Sequence, residues 1–303
     1  MARWTRLVLP AGVFVGLLLP PLASWLNPLV APSVALLLVA GMIRIDWPAL
    51  RAALARPGGA VIGILWLTAG MPLLAALATG ALDLPDGLGP ILVMVAAMPP
   101  ILSGPALAGL LGLDAAAALV VVVVATLVAP LSLPVVGGLL HGAVASTDPA
   151  VLFLRMGGIV GGAVALTFAL RHALGAERLR RRRPEVEGFG VLLLLVFAIG
   201  VMDGMAARLL AEPGTVLVFT LAAFAMNLGM QLVTRLAFRP AGARIATTVA
   251  FLAGNRNAAL LLAVLPAEPA LLLYVAVAQF PIYLLPSLMV PVYRRLAGAP
   301  ESP

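Results

Sequence analysis

Apolar stretches of about 20 residues follow one another along almost the whole 303-residue chain, and this succession limits the possible folds more than any other feature. A helix needs about 20 apolar residues to cross the hydrocarbon core of a bilayer. Pro and Gly residues mark the joints between the stretches. The sequence predicts ten membrane-spanning helices, at residues 7–25, 28–43, 59–80, 88–112, 115–140, 151–173, 188–210, 214–236, 244–265 and 269–293.

The composition supports an all-α integral membrane protein. Hydrophobic residues make up 63% of the chain, whereas soluble domains are only about half apolar. The net charge is +7, but the arginines lie at the ends of apolar runs and form no single solvated face, which argues against a nucleic-acid partner. The chain has no Cys, which excludes disulfides and thiolate metal sites. We expect a monomer in the lipid bilayer, with no metal and no cofactor.

The placement of the 19 arginines predicts the orientation of the spans, because loops rich in Arg and Lys stay in the cytoplasm. If the N-terminus is inside, all arginines except Arg155, Arg208 and Arg256 fall in inner segments. We therefore expect both termini on the cytoplasmic side of a bacterial inner (plasma) membrane. The inner arginines are Arg3, Arg6, Arg44, Arg51, Arg56, Arg171, Arg178, Arg180, Arg181, Arg182, Arg183, Arg235, Arg239, Arg244, Arg294 and Arg295.

Ten spans form two sets of five. An odd number of spans in each set gives the two sets opposite orientations in the membrane, so the sequence predicts an inverted repeat. Residues 1–176 hold the first five-helix repeat and the sixth helix. A cytoplasmic linker at 177–187 follows, and residues 188–303 hold helices 7–10.

The fourth predicted span is interrupted near its centre. The stretch "MPPILSGPAL" places Pro99, Pro100 and Pro105 within seven residues. Proline removes an amide donor, and it pushes the preceding residue out of the helical conformation. Helix can resume at Pro105, where Ser103 or Gly104 can act as the N-cap.

The ninth predicted span has a matching interruption. The stretch "AGNRNAAL" places Asn255 and Asn257 on either side of Arg256, and asparagine favours caps and turns over helix interiors. The two breaks also share a spacing to a later proline. Pro130 lies 26 residues after Gly104, and Pro281 lies 26 residues after Asn255. Broken helices at matching positions of two inverted halves indicate a transporter's binding site, with the two breaks crossing.

Three passages, at residues 44–77, 96–134 and 254–260, resemble the bile acid:sodium symporter family, within the bile/arsenite/riboflavin transporter superfamily. The resemblance implies ten helices in two inverted five-helix repeats, with broken helices 4 and 9 crossing. It also implies a panel domain of helices 1, 2, 6 and 7 and a core domain of helices 3–5 and 8–10. The implied activity is carriage of a small organic anion by alternating access.

The sequence departs from the family at the positions of its sodium ligands. The resemblance implies two sodium ions, but Gly104 and Pro105 stand where the family has a Ser-Asn pair, and Leu252 stands in place of a bridging Glu. Sodium needs about six oxygen ligands, and carboxylate charge helps to hold it. We therefore expect sodium-independent function. The other departures are Leu67, Ala118, Val122 and Arg256, whereas Asn257 keeps the family residue associated with substrate contact.

Arg256 is the only charge in the apolar run 245–265, where a charged side chain costs about 3 kcal/mol. Three roles are open for its guanidinium. It can replace sodium as a fixed cation, pair with a substrate carboxylate, or act only as a structural lock on exposed carbonyls. We expect it to meet carbonyls of residues 100–104 or a bound anion. Half-helix N-termini at Pro105 and Asn257 are expected to make the crossing electropositive.

The substrate-binding candidates cluster at the two breaks and on helices 8 and 10. Asn255 and Asn257 can act as helix caps as well as ligands. For Asn227 and Gln231 we favour a hydrogen-bonded bridge between helices over a binding role. Tyr283 can instead be an anchor at the membrane interface. The full set is Leu102, Ser103, Gly104, Asn227, Gln231, Asn255, Arg256, Asn257, Gln279 and Tyr283.

The sequence predicts a secondary active or facilitative transporter of a small organic anion, not coupled to sodium. The alternatives are an arsenite-, auxin- or vitamin-type carrier of the same superfamily, or a non-transporting membrane receptor with a transporter fold. Enzyme activity is not expected, because Ser103 has no His or carboxylate near it in sequence and phosphate-binding motifs are missing.

Overall fold

The computed structural model describes residues 11–45, 47, 48, 50, 58–139, 148–266 and 268–298. All regular secondary structure in these ranges is helical, which confirms the predicted all-α class. Outside them lie the ends of the predicted spans 7–25 and 115–140, together with Arg3, Arg6, Arg51 and Arg56.

The first part of the chain begins with helical residues 11–18. The helices that follow are α1 (Pro20–Leu26), α2 (Val30–Ile43), α3 (Gly58–Leu65), α4 (Met71–Gly80), α5 (Leu88–Ala97), α6 (Gly104–Leu110), α7 (Ala115–Leu139) and α8 (Pro149–Leu174). A 3-10 turn (Asn27–Leu29) joins α1 to α2, and a π-helical segment (Trp66–Gly70) joins α3 to α4.

The second part of the chain has eight more helices among the described residues. They are α9 (Ala176–Arg181), α10 (Arg183–Gly200), α11 (Met205–Ala211), α12 (Pro213–Ala237), α13 (Ala243–Gly254), α14 (Ala259–Val264), α15 (Pro269–Leu288) and α16 (Val290–Ala297). A 3-10 turn (Arg239–Ala241) links α12 to α13.

Helical segments that are long and apolar enough to cross a membrane confirm an integral membrane protein. There are seven such segments among the described residues. Two shorter apolar helices, α5 and α13, accompany them. The seven segments are Pro20–Ile43, Ala60–Gly80, Ala115–Leu139, Pro149–Leu174, Arg183–Ala211, Pro213–Ala237 and Pro269–Leu288.

The interior of the bundle is built from α5, α7, α13 and α15. Every residue of α13 from Ala246 to Gly254 is buried, and so is every residue of α5 from Ile91 to Ala97. Helix α12 packs along α13 and α15, α4 packs along α5, and α2 packs against α8 and α10. The two shorter apolar helices α5 and α13 therefore lie at the centre, with longer helices around them.

Candidate functional site

The two predicted breaks are present, and they meet inside the bundle. Between α5 and α6, and between α13 and α14, the chain leaves the helical conformation. Pro100 and Arg256 form an antiparallel bridge. The amide of Ile101 donates to the carbonyl of Asn255 at 3.0 Å, and the amide of Asn257 donates to the carbonyl of Pro99 at 2.9 Å. Both helices are therefore broken as predicted, and the two breaks contact each other at a point that we call the crossing.

Proline chemistry explains the first break. Met98, which precedes two prolines, is extended (φ −65°, ψ 147°), and this ends α5. Helix resumes with Pro105 in its first turn, after the amide of Gly104 has bonded the carbonyl of Ile101. Ser103 occupies the N-cap as predicted, although its hydroxyl makes no capping hydrogen bond with the described residues.

Arg256 lies at the crossing with only 1% of its surface exposed. Its Nε donates to the carbonyl of Ala253 at 2.8 Å, Nη1 to the carbonyl of Met98 at 2.9 Å, and Nη2 to the carbonyl of Leu67 at 3.2 Å. Three carbonyls on three separate segments of the chain thus share one guanidinium, which uses three of its five N–H donors.

Each of these carbonyls lacks the amide that a continuous helix would supply. For Ala253 that amide belongs to Asn257, but it donates to Pro99 instead. Leu67 lies in the π-helical segment, where hydrogen bonds span five residues and the amide of Met71 reaches Trp66. The matching donor for Leu67 would be residue 72, a proline without an N–H.

The third carbonyl, that of Met98, follows the last residue of α5 and precedes two prolines. Buried backbone carbonyls without partners cost free energy inside a membrane protein. Arg256 satisfies Met98, Ala253 and Leu67 together, so it ties both broken helices to the π-helical segment.

Of the two contacts predicted for Arg256, the one with carbonyls of residues 100–104 is wrong in position, and the one with a bound anion stays a prediction. The carbonyls of Ile101 and Ser103 accept amides from the first turn of α6, so they are already occupied. The guanidinium lies instead at the C-terminal ends of α5 and α13, near Met98 and Ala253. These helix ends carry partial negative charge, so they compensate the charge of Arg256. The positive potential expected at the crossing is therefore smaller than predicted. The contacts favour the interpretation of Arg256 as a structural lock on exposed carbonyls.

An apolar cluster occupies the positions where the family resemblance implies sodium ligands. Gly104, Ala118, Val122 and Leu252 are all buried. A Cβ atom on Gly104 would lie 2.9 Å from Cδ2 of Leu252 and 3.4 Å from Cγ2 of Val122. A sodium ion needs oxygen ligands and space between them. These side chains supply neither, so they do not fit the sodium site that the resemblance implies.

A cavity of about 80 Å³ lies beside the crossing. Apolar side chains of α2 and α10 line its opposite wall. The volume is small beside the roughly 300–1,000 Å³ of typical ligand pockets. Six of the predicted substrate-binding residues line it, namely Leu102, Ser103, Arg256, Asn257, Gln279 and Tyr283.

Four predicted site residues lie away from this cavity. Gly104 packs in the apolar cluster described above. Asn255 is fully buried at the end of α13, where its Nδ2 donates to the carbonyl of Phe251 at 2.8 Å, as expected of a cap. Asn227 and Gln231 belong to a separate network, because both face α13 from α12.

That network links three helices through side chains. The hydroxyl of Tyr293 on α16 donates to Oε1 of Gln231 at 2.8 Å. Nε2 of Gln231 donates to Oδ1 of Asn227 at 2.6 Å, and Nδ2 of Asn227 donates to the carbonyl of Gly254 at 2.8 Å. The contacts favour the helix-bridge interpretation of Asn227 and Gln231, and Tyr293 is a member that sequence reasoning missed.

We expect Asn227→Ala to lower the free energy of unfolding by about 1–3 kcal/mol, because the carbonyl of Gly254 and the amide of Gln231 lose their partner. Thermal unfolding of the purified protein in detergent measures this loss. Thr220→Ala on the same helix is the control, since within the described residues the Thr220 hydroxyl bonds only to Val216 one turn earlier. It should change stability by no more than about 0.5 kcal/mol. Equal stability of the two variants would show that this hydrogen-bond network does not stabilise the fold.

Comparison with known protein families finds no match for this chain, and comparison with curated proteins finds none either. The resemblance to the bile acid:sodium symporter family therefore rests on the motifs in residues 44–77, 96–134 and 254–260.

Proposed function

We propose that this protein is a secondary active or facilitative carrier of a small organic anion, working by alternating access and without sodium. The observation that carries the proposal is the crossing of two broken helices beside a cavity. Continuous helices satisfy their own backbone, so interrupted ones are retained in membrane proteins where they build a binding site. Arg256 supplies at that point the positive charge that bound cations would otherwise bring.

The proposal includes a ten-helix, inverted-repeat fold of the bile acid:sodium symporter type, with both termini in the cytoplasm. The order in which residues contact α10 supports two antiparallel spans at the start of the chain. Residues 11–18 pack along α10 in parallel order and α2 packs in reverse order, so the chain turns back between them. The pairs are Gly12 with Leu195, Gly16 with Met202, Val30 with Gly200, and Arg44 with Arg183.

In this proposal the panel domain holds α2 and α10, and the core domain holds the crossing. The cavity lies where they face each other. Gly41 of α2 approaches Leu102 so closely that a Cβ on Gly41 would lie 2.8 Å from Cδ1 of Leu102. Separation of these two residues would open the cavity, and Ser103 and Asn257 on its wall offer polar groups for an entering anion.

Two alternatives remain distinct from this proposal. An arsenite-, auxin- or vitamin-type carrier of the same superfamily would share the fold, although the absence of Cys argues against recognition of arsenite by thiolates. A membrane receptor that keeps the fold without transporting would share the crossing and show no flux.

Uptake into proteoliposomes tests the proposal. We expect at least one anion from a panel of mono- and dicarboxylates to accumulate above protein-free liposomes, at equal rates in sodium and in choline buffer of the same ionic strength. Asn257→Ala should lower that uptake without lowering thermal stability, whereas Thr220→Ala should change neither. Steep sodium dependence would contradict the proposal, and an absence of flux for every anion would favour the receptor.

A further inference from the structure

A second and larger cavity, of about 350 Å³, lies where the end of α2 meets the end of α8, the short helix α9 and the start of α10. Among the described residues, three arginines line it, Arg44, Arg171 and Arg183, together with one carboxylate, that of Glu177. Glu177 also accepts a hydrogen bond from Nε of Arg181 at 3.1 Å. Outside the lining, Oε1 of Glu187 accepts a hydrogen bond from Nε of Arg183 at 3.1 Å. The described part of the lining therefore holds more arginines than carboxylates.

Arg44 is the innermost of these cations. Its Nε donates to the carbonyl of Ala40 at 3.2 Å, one turn back in its own chain. Burial lowers the pKa of the Arg44 guanidinium below its usual range, the Glu187 carboxylate opposes this shift, and the positive charge of Arg183 adds to it. Arg44 and Arg183 thus lie near each other in a partly desolvated place, where Glu187 offsets part of their charge, and a bound anion would stabilise both further.

Trp47 adds an independent sign of a missing ligand. It lines the same cavity, and its indole N–H is buried with no hydrogen-bond partner among the described residues. Buried indole N–H groups usually have a partner. The Trp47 ring contacts the ring of Phe168 at a centroid distance of 5.4 Å, and Phe168 is 52% exposed on α8. The cavity therefore adjoins an apolar surface of the kind that faces lipid.

We propose that this cavity binds a phosphate group, held by Arg44, Arg171 and Arg183 and by the indole N–H of Trp47. The planar guanidinium fork matches phosphate oxygens, and basic pockets between membrane helices bind anionic headgroups. The phosphate belongs either to an anionic phospholipid, whose acyl chains would follow α8 past Phe168, or to a free phosphate or phosphate ester from solution. Arg44 also lines the cavity beside the crossing, whereas Arg171 and Arg183 line only the second cavity, so a test on these two does not depend on the proposed transport activity.

The test uses the full-length protein, purified in detergent and stripped of lipid. Phosphatidylglycerol, phosphatidylcholine and inorganic phosphate are added separately, and thermal unfolding and native mass spectrometry are recorded. We expect phosphatidylglycerol to raise the melting temperature and to remain bound, and phosphatidylcholine to do neither. Arg171→Gln combined with Arg183→Gln should weaken phosphatidylglycerol binding at least tenfold.

Control variants make the result specific to the cavity. Arg183→Gln alone changes an exposed position, where Arg183 pairs with Glu187 at 3.1 Å, and it should fold normally with a smaller loss of binding. Arg182→Gln removes the same charge from the neighbouring position, where Arg182 pairs with Glu185 away from the cavity, and it should bind like the parent.

The possible outcomes separate the two sources of phosphate from failure of the proposal. Stabilisation by inorganic phosphate alone, lost in Arg171→Gln/Arg183→Gln, would support the site and identify a soluble ligand. Stabilisation by phosphatidylglycerol alone, lost in the same variant, would support a lipid site. No stabilisation by either compound, or an equal loss in Arg182→Gln, would overturn the proposal.

Discussion

Replacement of Arg256 by glutamine should lower the free energy of unfolding by roughly 3–5 kcal/mol, the range for an interior charged site that loses one partner. The guanidinium reaches three buried carbonyls, on Leu67, Met98 and Ala253, which belong to separate segments of the chain. A glutamine side chain is shorter and has one amide group with two N–H donors, so at least one carbonyl loses its partner. Chemical or thermal unfolding in the same detergent measures the loss.

Two further variants separate charge from geometry at this position. Arg256→Lys keeps the positive charge but places it at a single point, so we expect an intermediate loss of stability. Arg239→Gln removes an arginine that is exposed at the end of α12, and it should change stability by no more than about 0.5 kcal/mol. If Arg256→Gln were as stable as Arg239→Gln, Arg256 would not be a structural lock.

Gly254→Ala should be the second strongly destabilising change. A Cβ at Gly254 would lie 2.5 Å from the carbonyl oxygen of Asn227 and 2.6 Å from Cγ of Gln231. The first of these atoms is backbone, so α12 and α13 must move apart to accommodate the methyl group. Overpacking of this kind costs about 1–3 kcal/mol. The separation would also lengthen the hydrogen bond from Asn227 to the Gly254 carbonyl.

Gly229→Ala is the matched control for this prediction. Gly229 lies on α12 between Asn227 and Gln231. A Cβ there meets no described atom within 4 Å outside its own helix. Alanine is the better helix former, so this variant should be neutral or slightly stabilising, by up to about 1 kcal/mol. Melting temperatures measured side by side decide the matter. Equal melting temperatures for Gly254→Ala and Gly229→Ala would show that α12 and α13 yield freely at the crossing.

The backbone chemistry of the crossing is predictable from the sequence. Pro99, Pro100 and Pro105 cannot lie within one continuous helix, and Asn255 and Asn257 favour a cap or turn. The single charge of Arg256 within the apolar run 245–265 is equally visible. The backbone preferences of proline and asparagine follow from their covalent structure. They therefore hold whatever residues pack around them, and the sequence alone reveals them.

The partners of Arg256 are not predictable in the same way. Leu67 lies far away in sequence, and only tertiary packing brings the π-helical segment to the crossing. One sequence signal was available, because Pro72 leaves an upstream carbonyl without its amide, but the spacing depends on whether the turn is α or π. Tyr293 was missed for a related reason. It lies on the short helix α16, and nothing local shows that this helix returns to Gln231.

A covalently attached cation cannot couple transport to an ion gradient. A bound sodium ion can leave, so its gradient can drive a cycle, whereas the charge of Arg256 stays with the protein. Carriage that depends on Arg256 in this position would therefore draw no energy from a sodium gradient. Restoring sodium sensitivity would require at least Arg256→Gln together with Leu252→Glu, because the single change still leaves a leucine in place of the carboxylate.

The sodium dependence of stability tests most directly whether Arg256 replaces bound sodium, because it requires no knowledge of the substrate. Any ion that binds only the folded protein stabilises it, by about 2.7 kcal/mol at a concentration 100 times its dissociation constant. Melting temperatures of the parent and of Arg256→Gln are measured in sodium and in choline chloride at equal ionic strength. We expect the parent to melt at the same temperature in both salts, and Arg256→Gln to melt lower by the same amount in both. A melting temperature of the parent that rises with sodium concentration would contradict a fixed cation at the crossing.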